Sequence, residues 1–428
     1  MGVPNRLGMK DWIVLETQED AYNMRVVAGK PVQPEVCPRC GVENPRVYKH
    51  DQQEQTFMDT PMHGKRVGIQ VVRQRYRCLE CDKTFQQLLP EMDEKRNMTR
   101  RLVDYIRERS LVRTFTEVAD DVGVNEKTVR NVFREYVALL EEDREIETPT
   151  WLGIDELFLI RKPRCIFTDV KRRAIVDLLA KRDKLSVSKW LTNLPGKATV
   201  EVVTMDMWKP YRDAAQALLP AAKVVVDKFH VVRMANKCLD DTRKRLRADM
   251  TTADRRKLMR DRHIILKREK DLDVMDHAAM EVWTNSLPEL YYAYQAKERF
   301  YGVYDAPDRK EGQERYDAWL GSLDLLTRVN FKELITATEN WKPEILNFFG
   351  TGATNAYTEA ANGLAKIANR NGRGYSFEAI RAKIIYGGSG KRGKFCESPV
   401  DEEIFAEMTR PVVGSPQSPE KKETDGIQ

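Results

Sequence analysis

The sequence predicts a multidomain α/β protein in which two small N-terminal modules precede a mixed-sheet core that a large all-helical segment interrupts. Three observations carry this. Two CxxC pairs stand early in the chain, Cys37 with Cys40 and Cys78 with Cys81. Short β-branched runs alternate with helical patterns from Trp151 to His230, the signature of a mixed sheet. From residue 231 to residue 349 the pattern is helical and strongly charged. At 428 residues the chain can hold about two to four domains with proper cores.

Composition narrows the class. Hydrophobic content of 41% and charged content of 32% suit a water-exposed globular surface. No apolar run approaches the roughly 18 residues of a membrane span. The opening MGVPNRLGMKDWIVLE lacks the charged-then-apolar pattern of an export signal, and Arg6 stands where lipidation of Gly2 needs Ser or Thr. A cytoplasmic protein without membrane contact is expected. The net charge is only +6, but Lys228 to Lys270 holds fifteen Lys/Arg against six Asp/Glu. Such a run suits a polyanionic partner; the alternative is a solvated helical face.

Taken in order, residues 1–95 form an N-terminal region with a zinc ribbon. Trp12 to Leu15 and Val26-Val27 read as short strands or helices without evident function. Each CxxC sets two thiolates on a tight turn, and Cys37, Cys40, Cys78 and Cys81 together complete a closed, structural zinc site. His50 and His63 in the insert are substitute ligands, although four cysteines suffice. VGIQVVRQRYRC reads as a strand entering the second knuckle.

Residues 96–148 read as a helix-turn-helix unit. Thr99 caps a first helix, and TFTEVADDVGVNEKTVRNVFREYV gives two more around a turn at Gly123. Asn125, Lys127, Thr128, Arg130, Asn131 and Arg134 are then free to enter a DNA groove; the alternative is three structural helices. The charged stretch Glu141 to Pro149 reads as a linker.

Residues 149–230 are the first part of the core: three consecutive strands, then helix, strand, helix and a fifth strand, AKVVVDKFH. Residues 231–349 are the helical insertion, with Trp283, Trp319 and Trp341 read as core. Residues 350–395 complete the core, and the Pro/Ser/Lys/Glu-rich 396–428 reads as a largely disordered tail. Gly390-Lys391 does not make a phosphate loop, because Ile385 occupies the first glycine position.

Two strand runs end in an acid: Asp155 in WLGIDE and Asp206 in VTMDMW; Glu359 follows in the helical TNAYTEAANGLAKIANR. Carboxylates drawn from strand ends and a helix suit Mg²⁺ or Mn²⁺, and two such ions roughly 3.5–4 Å apart activate the attacking oxygen and stabilise the leaving oxygen of a phosphodiester. Taken one at a time, each acid is as readily a capping or surface residue. Glu156 should face away from the site by strand alternation.

The order of ribbon, helix-turn-helix, WLGIDE, VTMDMWKPY, VVDKFHV and TNAYTEAANGLAKIANR resembles the ISL-three family of bacterial insertion-sequence transposases, over residues 37–387. The resemblance implies a ribonuclease-H-like core with an Asp-Asp-Glu triad, here Asp155, Asp206 and Glu359. Asp227 to His230 matches an Asp-x-x-His signature of some such groups. His230 is therefore a catalytic candidate, the alternative being a structural histidine closing the strand. Ala-Ala-Asn follows Glu359 where the family more usually has Gly-hydrophobic-Asn; Glu339 and Glu344 are alternative third acids, but neither has comparable asparagine flanks. Lys366 stands two turns beyond Glu359, where related integrases touch the DNA end, and Arg370 and Arg373 continue a basic segment reaching Lys394.

The implied protein is a nucleoid-associated bacterial transposase. It binds its element's terminal inverted repeats, cuts the ends by Mg²⁺-dependent hydrolysis and joins the 3′-OH to target DNA, as a homodimer or larger assembly on double-stranded DNA. The alternatives are a DNA-binding regulator derived from an inactive transposase, and a nuclease without strand transfer. If Lys and Arg grip phosphates, DNA affinity should fall steeply with added salt, because each contact releases counterions. Salt-insensitive binding in a titration would overturn that expectation.

Overall fold

The computed structural model describes residues 7–31 and 33–387. Its first sheet joins β1 (Ile13–Glu19), β2 (Asn23–Gly29), β3 (Val47–Met62), β4 (Lys65–Cys78), β5 (Thr84–Gln86), β6 (Met92–Asp93) and β7 (Met98–Thr99). The order is β1-β2-β4-β3-β7-β6, with β5 on β4. The insert between the cysteine pairs is thus a long hairpin, turning at His63-Gly64, both at positive φ (52° and 75°). That is the left-handed geometry a tight hairpin needs. His63 is spent on the turn, and His50 sits exposed beside Asp51. The four cysteines converge instead, with Sγ separations of 3.9 Å for Cys37–Cys81 and 4.0 Å for Cys40–Cys78. Four sulfurs about 2.3 Å from one zinc ion in a tetrahedron would lie about 3.8 Å apart, so the cluster fits zinc.

Three helices follow: α1 (Arg100–Val112), α2 (Phe115–Val122) and α3 (Glu126–Glu142). Thr99 caps α1 as expected; Asn125, expected free for a groove, instead spends its side chain capping α3, Thr114 and Glu117 form a reciprocal capping box, and Gly123 closes α2 at φ 71°. Helix α3 runs further than the sequence reading allowed and absorbs Glu141, whose carboxylate binds Arg381 and the Tyr386 hydroxyl. Arg144 lies against Asp177. The stretch read as a linker is therefore fastened to the core.

The second sheet holds β8 (Trp151–Leu159), β9 (Lys162–Asp169), β10 (Ala174–Leu179), β11 (Val202–Met205) and β12 (Lys223–Val226), ordered β10-β9-β8-β11-β12. The first three run antiparallel, and β8, β11 and β12 run parallel. Helices α4 (Lys184–Thr192) and α5 (Lys209–Leu218) make the connections on one face, over Leu152, Ile154 and Val203. This is the mixed layout expected of the core. The fifth strand is shorter than expected. It stops at Val226, Asp227 stands at the N-cap, and Lys228-Phe229-His230 open α6 (Lys228–Leu246). The reason is spacing: Val231, Ala235, Cys238 and Leu239 are buried at helical intervals. The boundary placed at residue 230 thus falls within a helix.

Nine further α-helices, from α7 (Thr252–Arg260) to α15 (Phe348–Thr351), build the insertion. Trp283, Trp319 and Trp341 are buried in its core, as read. None of the described helices is long and apolar enough to cross a membrane.

Helix α16 (Ala356–Asn371) then lies along β8 on the face opposite α4 and α5. Asn355 and Thr358 meet Gly153, Asn362 meets Asp155, and Ala361 and Ala365 join Leu157 and Leu159 in one apolar cluster. Helix α17 (Phe377–Gly387) returns against α1 and β10. The expected basic segment between residues 388 and 394 and the tail 396–428 lie outside the described residues.

Gly153 allows this contact. A Cβ there would stand 2.4 Å from both the Thr168 and Thr358 hydroxyl oxygens. Gly153→Ala should therefore cost about 1–3 kcal/mol by overpacking. Gly363→Ala on the same helix, with nothing within 4 Å, should be neutral or stabilising by about 0.5–1 kcal/mol. Thermal melts of the two variants check this; a Gly153→Ala protein as stable as wild type would show that α16 is not seated on β8.

Candidate active site

Strand register gathers the acids. In the parallel part of the sheet, Ile154 pairs with Met205 and Met205 with Val226. The next residue on each strand is an acid: Asp155, Asp206 and Asp227. One rank of carboxylates thus crosses the three strands, with Asp206 and Asp227 just past the ends of β11 and β12; Asp155, expected at a strand end, instead lies in the middle of β8, which stays paired with β9 as far as Leu159. Each acid follows a run of buried residues, so its partners come from the helices packed beyond the strands.

The helices complete the cluster. His230, in the first turn of α6, sets Nδ1 2.9 Å from Asp206 and 3.4 Å from Asp227. Glu359, in the first turn of α16, joins Asp227 and His230, with one candidate ligand atom from each lying within 4.8 Å of the others. Asn362, one turn on, donates from Nδ2 to Asp155 at 2.7 Å. The Asn355 amide N–H donates to Asp227 at 3.1 Å, and the Thr204 hydroxyl donates to the Asn355 carbonyl at 3.1 Å. Thr358 meets Thr168 at 2.7 Å. The stripe Asn355, Thr358, Asn362 is thus a buried polar ladder that fixes Glu359 over the acids.

Of the residues singled out in the sequence, Asp155, Asp206, Glu359 and His230 come together. Asp227 joins them as a fourth carboxylate that the sequence reading had only as part of a signature. The other candidate acid Glu344 is buried elsewhere, against Arg212 and Gln216, and Glu339 is exposed on the insertion. Glu156 faces away, ion-paired to Arg182.

The electrostatics ask for a cation. Burial and then the neighbouring Asp206 push Asp155 up to about 8. Burial and Asp227 also raise Glu359. Asp206 and then Asp227 hold the imidazolium of His230, raising it to about 10. Four carboxylates against one imidazolium is a site in which a proton on Asp155 substitutes for missing positive charge. A hard, oxygen-loving divalent ion fits that donor set.

The DNA-facing candidates divide. Asn125, Lys127, Asn131 and Arg134 are exposed on α3, and Thr128 is half-buried. Arg130 departs from expectation: it bonds Glu126 at 2.7 Å and lies over the Phe115 and Tyr375 rings. Its position beside Phe115 draws it into the seam between α3 and the loop before α17. Lys366 and Arg370 are exposed on α16, as is Arg373 just beyond it.

Without added divalent ion, folded Asp155 keeps a proton that the unfolded chain releases near pH 3.8. The folded state therefore binds more protons between that pH and about 8, and stability falls as pH rises through the window. His230, raised from 6.5 to about 10, contributes stability that is present below 6.5 and lost as pH rises through 10. Asp155→Asn should flatten the lower part of the profile and raise the melting temperature near pH 8. A wild-type melting temperature that climbs between pH 5 and 8 would contradict the buried, proton-holding Asp155.

Comparison with known proteins agrees with this geometry. Residues 152–384 match a family model described as a transposase. Residues 33–81 match the zinc-finger of transposase IS204/IS1001/IS1096/IS1165, and residues 87–137 the helix-turn-helix domain of transposase family ISL3. The chain is 24% identical over 247 residues to the transposase for insertion sequence element IS1001 of Bordetella parapertussis. That match covers 56% of this chain and 60% of the relative's length. With its ribbon, its helix-turn-helix and more than half of its length matched in the expected order, the chain belongs to transposase family ISL3.

Proposed function

We propose that this chain binds the terminal inverted repeats of an insertion sequence through its ribbon and helix-turn-helix, hydrolyses the phosphodiester at each element end, and joins the freed 3′-OH to target DNA. The observation that carries the reading is the rank of Asp155, Asp206 and Asp227 across adjacent strands with Glu359 above it. Asp155, Asp206 and Glu359, with Asp227 beside them, would hold Mg²⁺ or Mn²⁺, which when bound activates the attacking oxygen and offsets charge on the leaving one.

The chain's own residues do the positioning. Asn362 holds one oxygen of Asp155, and the Asn355 amide holds one of Asp227, so both carboxylates are oriented before substrate arrives. His230 neutralises part of the Asp206–Asp227 pair through Nδ1. That leaves Nε2 as the ring's second polar atom for a substrate oxygen. The exposed α3 residues and Lys366, Arg370 and Arg373 supply phosphate and groove contacts. Joining two element ends needs both held at once, so the active form is a dimer or larger assembly on DNA.

The test is nicking and joining of the element's own end DNA with Mg²⁺, wild type beside Asp155→Asn, Asp206→Asn and Glu359→Gln. Wild type should cut and join, and each variant should bind DNA yet stay inert. Asn362→Ala should retain binding and lose about 10–100-fold in rate, as supporting partners of ligands typically do. Wild type that binds and never cuts would leave a regulator; cutting without joining would leave a nuclease.

A further inference from the structure

A groove of about 610 Å³ opens from Asp206 and His230 and runs along one face of α6. Among its residues with no part in holding the acids, two bear on what it could bind. Trp208, two positions past Asp206, is 40% exposed, whereas Trp283, Trp319 and Trp341 are all buried to 7% or less. Its ring is braced by Arg182, whose guanidinium stands 4.8 Å from the centroid and is itself paired with Glu156. Arg233 lies one turn past His230, is exposed, and has no hydrogen-bond or ion-pair partner among the described residues. Its charge acts on the Glu359 carboxyl. The other cation used here, Lys237, continues the same helix face but is paired with Glu333.

An indole kept partly in water beside a charged cleft is costly unless something covers it, and a guanidinium without a partner next to carboxylates is an anion site. The two flank the acids at the mouth of one groove. Its volume is on the scale of a small-ligand site, enough for a nucleotide or two and not for a double helix.

We propose that the groove binds an unpaired nucleotide adjoining the phosphodiester to be cut, with its base stacked on Trp208 and its phosphate on Arg233. The inference rests on the DNA-cleaving reading above. Stacking on one aromatic is worth about 1–3 kcal/mol and tolerates any base. Extruding a nucleotide from the duplex costs a few kcal/mol, which such a platform offsets. The same step would free the backbone at the element end to reach the acids.

The experiment uses the full chain and a short single-stranded oligothymidine carrying 5-iododeoxyuridine, cross-linked by ultraviolet light and mapped by mass spectrometry. The cross-link should fall on the peptide containing Trp208, and unlabelled single strand should compete for it better than duplex of equal length. Trp208→Ala should weaken binding about tenfold, and Trp208→Phe should recover most of it. Arg233→Gln should lower the slope of log affinity against log salt by about one. Circular dichroism confirms that the variants fold. Cross-links confined to α3 or to residues 366–373, equal competition by duplex, or unchanged affinity in Trp208→Ala would each overturn the proposal. Binding without chemistry is the readout, so it fails or stands separately from the cleavage assay. A protein that cuts element ends but shows no groove cross-link loses only this inference, and one that cross-links but never cuts loses only the cleavage reading.

Discussion

The seating of α16 on β8 at Gly153 is the contact on which the rest depends. An α-helix brought this close to a strand needs a residue without a side chain beneath it, and hydroxyl and amide groups that satisfy one another where they meet. Gly153 supplies the first, and Thr168, Thr204, Asn355 and Thr358 supply the second. Asn362 then reaches Asp155 at 2.7 Å, a buried hydrogen bond worth about 0.5–1.5 kcal/mol net. Glu359 inherits its position from these neighbours. It comes from a distant part of the chain, after the whole insertion, yet it arrives with no freedom to choose another place.

The same helix joins the acids to the helix-turn-helix. Leu157, Leu159 and Ile166 of the sheet share one apolar cluster with Ala361 and Ala365 of α16, and with Leu102, Phe115, Val129 and Phe133 of the helix-turn-helix. Polar clamps fasten the seam. Lys383 donates to the Arg113 carbonyl at 2.7 Å and lies over the Phe115 ring, and Arg381 bridges Glu141 and Asp177. Removing one partner from such a part-buried ion network costs about 3–5 kcal/mol, because a charge is left uncompensated. Helix α3 and the acids therefore belong to one packed unit. The insertion is fastened in the same way, through Arg212 over Trp341 and the Asn347 amide donating to the Val224 carbonyl at 2.8 Å.

What could be read in the sequence follows from what is local. The cysteine spacing, the cap at Thr99, the three-strand meander and the buried tryptophans are set by near neighbours, and each is where the pattern placed it. Asp155 and Asp206 were legible because an acid after an apolar run is conspicuous, although only Asp206 ends its strand and β8 continues past Asp155 to Leu159. Asp227 was less so: it looked like part of its strand, and only the register Ile154–Met205–Val226 shows it to be the third member of a rank. Arg130 was misjudged because helical spacing puts it on the outer face. The partner that draws it in, Tyr375, stands far along the chain. Asn355, Thr358 and Asn362 did carry a signal, polar residues at helical spacing on the face shared with buried Ala361 and Ala365, which marks a buried polar seam.

The charge distribution explains why this protein can hold so acidic a site while its substrate is a polyanion. The acids are few, drawn into one rank and mostly buried, whereas cations gather on α6, with six Lys/Arg against two Asp/Glu, and at the end of α16. At the surface the cations act over roughly a Debye length and set where DNA lies. Within the site the balance inverts, and carboxylates at close range dominate because burial weakens screening. Bare, they would repel a phosphodiester; one imidazolium cannot offset four carboxylates, and Asp155 is driven to hold a proton up to about pH 8. A divalent ion would resolve both conflicts, taking the place of that proton and turning the acids from a barrier to phosphate into its anchor. Metal uptake and proton release would then be one event at Asp155, whose carboxyl accepts from the Asn362 side chain and from the Glu156 backbone N–H, each at 2.7 Å.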